Sequence, residues 1–126
     1  EDWTEKRREN AQTYNQLFKD SAMTPFVQLP PEVFPRHVYN QYVICAGNRR
    51  DELRTFLHEN QIGCEIYYPV PLHLQDCFKS LGYKSGDFPA SEKAARETLA
   101  LPISHEVSRR QQEYVVNTIH RFFLGE

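Results

Sequence analysis

The sequence predicts a small two-layer α+β domain, with three to four short strands packed with helices. Three observations predict it. The chain has 126 residues, enough for one small core. Segments of helical periodicity alternate with short β-branched and aromatic runs, in the order α–β–α–β–α–α–β–α. Prolines bound or cut the candidate strands, which keeps them short.

Residues 1–20 read as a helix, because Ala11, Tyr14, Leu17 and Phe18 fall at helical spacing with Trp3 and Arg7 on the same side. Asp2 with Glu5 fits a capping-box-like start. The first half of this helix is polar and the second apolar, as in a helix that bridges two domains. The expected organisation is an interdomain helix and linker over 1–24 and a small C-terminal α/β domain over 25–126. Ser21 to Pro35 is a connector punctuated by Pro25, Pro30, Pro31 and Pro35, with one extended piece from Phe26 to Leu29.

His37 to Ala46 reads as a strand, rich in Val38, Tyr39, Tyr42, Val43 and Ile44. On a strand Tyr39 and Tyr42 take opposite faces, so at most one is core. Gly47-Asn48 ends the strand, and Asn48 caps a helix to about Asn60 that buries Leu53, Phe56 and Leu57. Ile62-Gly63 turns the chain into a second strand, Cys64 to Tyr68, stopped by Pro69. Leu74, Phe78 and Leu81 suggest a short helix, and Gly82 to Asp87 a loop. Pro89 opens a helix to about Leu99, with Ala94, Ala95 and Leu99 inward. Leu99 to Ile103 is a third strand, placed at an edge because of Pro102. Ser108 and Gln111 form a capping box for a last helix, which reaches about Phe123 and buries Val115, Ile119 and Phe122 or Phe123.

The most informative stretch is Tyr67-Tyr68-Pro69-Val70-Pro71-Leu72-His73-Leu74-Gln75. Pro69 and Pro71 fix their own φ and restrict the residue before each. The segment is a stiff elbow that presents Tyr68 and His73 at a fixed place, as binding loops do.

Composition narrows the function classes. The hydrophobic fraction is 40% and the aromatic fraction 13%, which suits a folded core. A net charge of −2 gives no basic surplus, so neither nucleic acid nor a membrane surface is expected as a partner. No apolar run approaches the ~20 residues of a membrane span, and the polar start shows no signal peptide. The three cysteines form no C-x-x-C pair, so neither a disulfide framework nor a metal site is expected. Buried thiols in a reducing, cytoplasmic setting are the simplest reading.

There is no phosphate loop, no G-x-S-x-G, no H-E-x-x-H and no dinucleotide fingerprint. Lys6, Lys19, Lys79, Lys84 and Lys93 all sit in polar surroundings that do not depress a pKa. By its own residues, the chain shapes part of a site without containing the chemistry.

Five blocks, in order, resemble one family. Arg7, Ala11, Tyr14 and Leu17 resemble an interdomain helix. His37-Val38-Tyr39 with Tyr42-Val43-Ile44 resembles a first small-domain strand, and Asn48 to Gly63 the helix after it. Tyr67 to Gln75 matches a YYP-x-PLH-x-Q elbow, and Phe88-Pro89 to Pro102 an FP-x-x-E…LPL-P block. Together they resemble the C-terminal small domain of the DegT/DnrJ/StrS-type aminotransferases, pyridoxal-phosphate (PLP) enzymes that aminate keto sugars on nucleotides. Two positions depart from the pattern. Asn40 stands where many relatives carry His, and Cys45 where many carry Arg.

The resemblance implies the small-domain fold of fold-type I PLP transferases. It implies a large domain upstream that holds PLP, the aldimine lysine and the phosphate cup. No catalytic, cofactor-binding or metal-ligating residue is then expected in this chain, and no PLP on the chain alone. The implied partners are a nucleotide-linked keto sugar, an amino donor such as glutamate, the chain's own large domain and a homodimer partner. The alternative is a stand-alone, non-catalytic module of the same fold that binds a nucleotide sugar or a protein.

His73, Tyr68 and Tyr67 are the candidate substrate-binding residues. His73 fits a histidine at a helix start that touches no ligand. The resemblance turns it instead toward a sugar hydroxyl or a diphosphate oxygen. Tyr67 and Tyr68 alternate faces if the strand persists, so one points to the site, by preference Tyr68, and the other to the core. Gln75 is a further donor or a helix-start residue. Arg36, beside His37, is a carboxylate clamp or a solvated loop residue. His58, His105 and His120 read as surface groups. Arg49-Arg50 and Arg109-Arg110 read as solvated helix-start charges, the second pair in need of a salt partner.

Overall fold

The computed structural model describes residues 2–125. It holds four α-helices and two strands: α1 (Asp2–Asp20), β1 (Tyr42–Cys45), α2 (Arg50–Glu59), α3 (Pro89–Glu97), β2 (Thr98–Leu101) and α4 (Arg109–Leu124). Three 3₁₀ turns join them, at Gly47–Arg49, Leu72–Leu74 and Asp76–Leu81. The α+β class is as the sequence predicts. Residue 1 of the expected first helix lies outside the described residues, and Asp2 is already helical within the acidic first turn.

β1 and β2 pair antiparallel, with Tyr42 opposite Leu101 and Cys45 opposite Thr98. Each flank carries a single bridge, Gln28 to Cys45 on one side and Glu65 to Ala100 on the other. The expected three to four strands are therefore four extended segments, of which the outer two pair through one residue each. β2 is not the edge that Pro102 suggested. The strand ends at Leu101, so the proline removes no ladder donor, and Glu65 pairs on its far side.

The first strand is shorter than expected because Tyr39 takes a left-handed φ of 47°. Its amide donates to His37 Nδ1 at 3.0 Å, which turns the chain before pairing begins. Tyr39 and Tyr42 are consequently both buried, against the expectation of one core tyrosine. The second strand stops at Glu65, and Tyr67 and Tyr68 leave the sheet before the prolines.

The core lies between the strand pair and α1, α2 and α4. Tyr14, Phe18, Ile44, Leu53, Leu57, Leu99 and Ile119 are all fully buried there. Each buried aliphatic side chain of this kind stabilises the fold by about 1.5–3 kcal/mol. α1 and α2 both pack on α4. Gln112 of α4 donates from Nε2 to the Asn10 carbonyl of α1 at 2.7 Å, inside the contact.

The helix starts differ from one another. Ser108 and Gln111 form the expected capping box on α4. Asn48 does not cap α2: it lies in the 3₁₀ turn, and Arg49 holds the cap position without a side-chain bond. Arg50, expected in solvent, is buried. Its Nη1 donates to the Thr98 carbonyl at 3.0 Å and its Nε to Asp51 at 2.7 Å, which ties α2 to β2. Arg109 has its partner in Glu113 at 3.0 Å. His105 is half-buried and stacks on Trp3 at 4.5 Å, so it is not a plain surface group.

Candidate functional site

The proline elbow and the start of α3 face each other across a hollow of about 500 Å³. From the elbow come Tyr67, Tyr68, Pro71, Leu72 and His73. The opposite wall is Phe78, Leu81, Tyr83 and Phe88, with Ser91, Ala94 and Ala95 of α3. The three residues singled out from the sequence, His73, Tyr68 and Tyr67, thus line one concavity. Neither tyrosine is core: both stay about half exposed, because the strand that would have alternated them does not persist.

His73 sits in the 3₁₀ turn Leu72–Leu74, which follows the extended Pro71. Its ring packs on Phe88 at 4.8 Å, and Phe88 in turn meets Tyr83 edge-on at 5.0 Å. The imidazole is mostly buried, with Nε2 3.5 Å from Glu92 Oε2. That separation and geometry leave Nε2 without a hydrogen-bond partner among the described residues. Gln75 donates from Nε2 to the Val70 carbonyl at 3.0 Å, which closes the elbow and spends its amide inside the loop.

Glu92 is the site residue to which the sequence assigns no role. Its carboxylate accepts from the Gly86 amide at 2.9 and 3.0 Å and from Ser85 Oγ at 3.1 Å. These bonds, the Gly86 amide foremost, hold its pKa below the ordinary carboxylate range, and His73 adds to the effect. Its sequence signals are its place in the FP-x-x-E block and its spacing, one helical turn after Phe88 at the start of α3. Nothing in the order of residues shows that the loop from Gly82 to Asp87 folds back onto Glu92. It does so through left-handed Gly82 (φ 79°) and Gly86 (φ 95°), a conformation open to glycine.

A second concavity of about 660 Å³ lies where α4 begins, lined by Gln61, Pro102, Arg110 and Tyr114 among others. The capping box already satisfies amides there, and no buried ionisable group points into it. The elbow hollow is the better site, because it joins an imidazole, backed by the Glu92 carboxylate, with three phenol rings. Among the described residues no cluster of His, Cys, Asp and Glu could hold a metal ion. Among the described residues no helix is long and apolar enough to cross a membrane. Arg36 is exposed in its loop and lines none of these hollows.

PLP needs an amine to carry its aldehyde and donors for its phosphate. The hollow offers no amine, and its donors are the hydroxyls of Ser91 and three tyrosines and the His73 ring, with no cation. No lysine or arginine lines it, and all five lysines are exposed. The residues present do not fit a PLP-holding site.

The fold is a small α+β domain with an aromatic-lined hollow between the proline elbow and α3. The family model for DegT/DnrJ/EryC1/StrS aminotransferases matches residues 1–120, and the chain belongs to that family. It is 50% identical over 96% of its length to a "Pleiotropic regulatory protein" of Geobacillus stearothermophilus, covering 32% of that protein. It is 32% identical over 97% of its length to a dTDP-3-amino-3,6-dideoxy-alpha-D-galactopyranose transaminase of Aneurinibacillus thermoaerophilus, again covering 32%. Among solved structures, S. venezuelae DesV in complex with a ketimine intermediate superposes with a TM-score of 0.86 at 29% identity. That match covers 96% of this chain and 32% of DesV. An aminotransferase of the same family from Brucella abortus gives 0.80 at 34% identity, over 100% of this chain and 32% of that one. The chain spans about a third of the length of the relatives it matches.

Proposed function

We propose that this chain is the pocket-closing portion of a PLP-dependent aminotransferase that transfers an amino group, with glutamate as donor, to a keto sugar carried on a nucleotide. Residues 1–24 serve as interdomain helix and linker, and 25–126 as the small domain. PLP, its lysine and its phosphate donors belong to a large domain. The full-length protein works as a homodimer in the cytoplasm.

One observation carries this reading. His73, Tyr68 and Tyr67 share a single hollow with a mostly apolar aromatic wall. Such a wall excludes water and stacks on the C–H faces of a pyranose, while phenol and imidazole groups take its hydroxyls. His73, Tyr68 and Tyr67 bind and orient the sugar; none of them moves the reacting proton.

The test uses the full-length protein. Titration with a dTDP-linked amino sugar, followed through the cofactor absorbance, reads binding. H73A and Y68A should each weaken binding about tenfold, the worth of one or two hydrogen bonds. Unchanged affinity in both variants overturns the site. A full-length protein without a PLP spectrum favours the non-catalytic binding module instead.

A further inference from the structure

Glu92 touches three groups at once. Ser85 Oγ and the Gly86 amide donate to its oxygens, and His73 Nε2 lies 3.5 Å from Oε2. Nε2 is sealed from solvent and has no hydrogen-bond partner among the described residues. A carboxylate has only acceptors to offer. The nitrogen that faces it is favoured when it carries hydrogen, and a shift of about half an ångström closes a full hydrogen bond. In a neutral imidazole one nitrogen alone carries hydrogen, so Nδ1 is left with its lone pair.

The rest of the hollow agrees in sign. Its lining has no lysine or arginine, and the nearest full charge behind His73 is negative. A diphosphate would meet no cation there and would feel the Glu92 charge at low effective dielectric. A sugar hydroxyl, which is neutral and can donate, meets no such penalty.

We propose that Glu92 is a positioning residue that holds His73 in the Nε2–H tautomer, so that Nδ1 accepts a hydrogen bond from a hydroxyl of the bound sugar. The ligand group at this imidazole is then the sugar and not the diphosphate. The inference rests on the sugar-nucleotide reading and assigns which part of that ligand lies here. The Gly86 amide, bonded to both oxygens, fixes the carboxylate, the carboxylate's charge fixes the ring, and the ring selects a donor.

Ring ¹⁵N spectra of the full-length protein, labelled at histidine and read across a pH titration, report the tautomer; loss of signals in H73N assigns them. The neutral ring of the wild type should be Nε2–H. E92Q, whose amide can donate to Nε2, should shift the population toward Nδ1–H. It should weaken a nucleotide sugar about tenfold, the worth of one hydrogen bond. The same nucleoside diphosphate without its sugar should bind E92Q and wild type alike. S85A removes one bond to Glu92 but keeps its charge, and should leave the tautomer unchanged.

An Nδ1–H ring in the wild type overturns the proposal, as does a tautomer indifferent to E92Q. Equal losses for the two ligands in E92Q do the same, and so does a tautomer shift in S85A. Should E92Q not fold, an Nδ1–H ring in the wild type still overturns the proposal. A wild type that binds neither ligand overturns the sugar-nucleotide reading instead, and the tautomer result stands or falls separately.

Discussion

Tyr14 of α1 stacks on Tyr42 of β1 with ring centroids 4.8 Å apart, and both side chains are fully buried. Their hydroxyls diverge. Tyr14 donates to the Pro102 carbonyl at 2.7 Å, and Tyr42 to Asn15 Oδ1 at 2.6 Å. The pair joins the first helix, the first strand and the end of the second strand at one point, with neither phenol unpaired. Burial raises the pKa of both phenols well above the usual value.

This contact makes the apolar half of α1 part of the core. Y14A should therefore cost about 3–5 kcal/mol, the range for truncating a large buried aromatic. Y14F and Y42F should each cost about 1–2 kcal/mol, because a buried acceptor loses its donor while the ring stays. Urea unfolding at unchanged m-value measures all three. A Y14A midpoint close to wild type would show that α1 does not unfold with the rest.

The three thiols should separate by reactivity. Cys77 is exposed, Cys45 half-buried and Cys64 buried, with burial pushing the Cys64 pKa up to about 11 from 9.0. Iodoacetamide followed by mass spectrometry should modify Cys77 first and Cys64 only with unfolding. Between pH 9.0 and about 11 the unfolded chain loses a proton that folded Cys64 keeps, so stability falls as pH rises through that window. Below it Cys64 adds no pH dependence. The raised phenols of Tyr14 and Tyr42 act in the same direction at higher pH, so C64A should flatten the alkaline fall only in part. A stability profile that is level from pH 9.0 to about 11 contradicts the assignment.

Ser108 closes the start of α4, accepting from the Gln111 amide at 3.1 Å while Gln111 accepts from the Ser108 amide at 2.8 Å. S108A should lower stability by about 1 kcal/mol, within the ~0.5–2 kcal/mol of cap deletions. S108D, which keeps an acceptor, should restore most of it. Thermal melts followed by circular dichroism read both variants, and equal melts for S108A and S108D would remove the cap from the argument.

The helices were legible because their signals are local. Ala11, Tyr14 and Phe18 repeat at helical spacing, and Ser108 with Gln111 is a cap written in two letters. The strands were less so, since pairing depends on chain direction rather than on β propensity. Tyr39 has a strand-like side chain but a left-handed backbone, and that one residue shortens β1 and buries both tyrosines. Arg50 looks solvated in the sequence, which does not show that the Thr98 carbonyl comes within 3.0 Å of its guanidinium. In the site, the elbow was legible from its prolines. The opposite wall was not, because Tyr83 and Phe88 come together only where two left-handed glycines reverse the loop.

That reversal is testable at Gly86, whose amide donates to both Glu92 oxygens and whose φ of 95° disfavours a side chain. E92A should abolish hydrogen-exchange protection of the Gly86 amide while the amides of α4 stay protected. G86A should loosen the same loop through backbone strain of roughly 1–2 kcal/mol. Acid should mimic E92A. The Glu92 pKa lies below its ordinary 4.5, so the folded state keeps its carboxylate charged where the unfolded chain has begun to take up a proton. Its stabilising contribution is present above pH 4.5 and is lost as pH falls through the lower, folded value. The Gly86 amide should thus lose protection at acid pH in the wild type and show no such step in E92A. Loss of protection over the whole chain at once, in E92A at neutral pH, would mean that Glu92 supports the core and not the wall of the hollow.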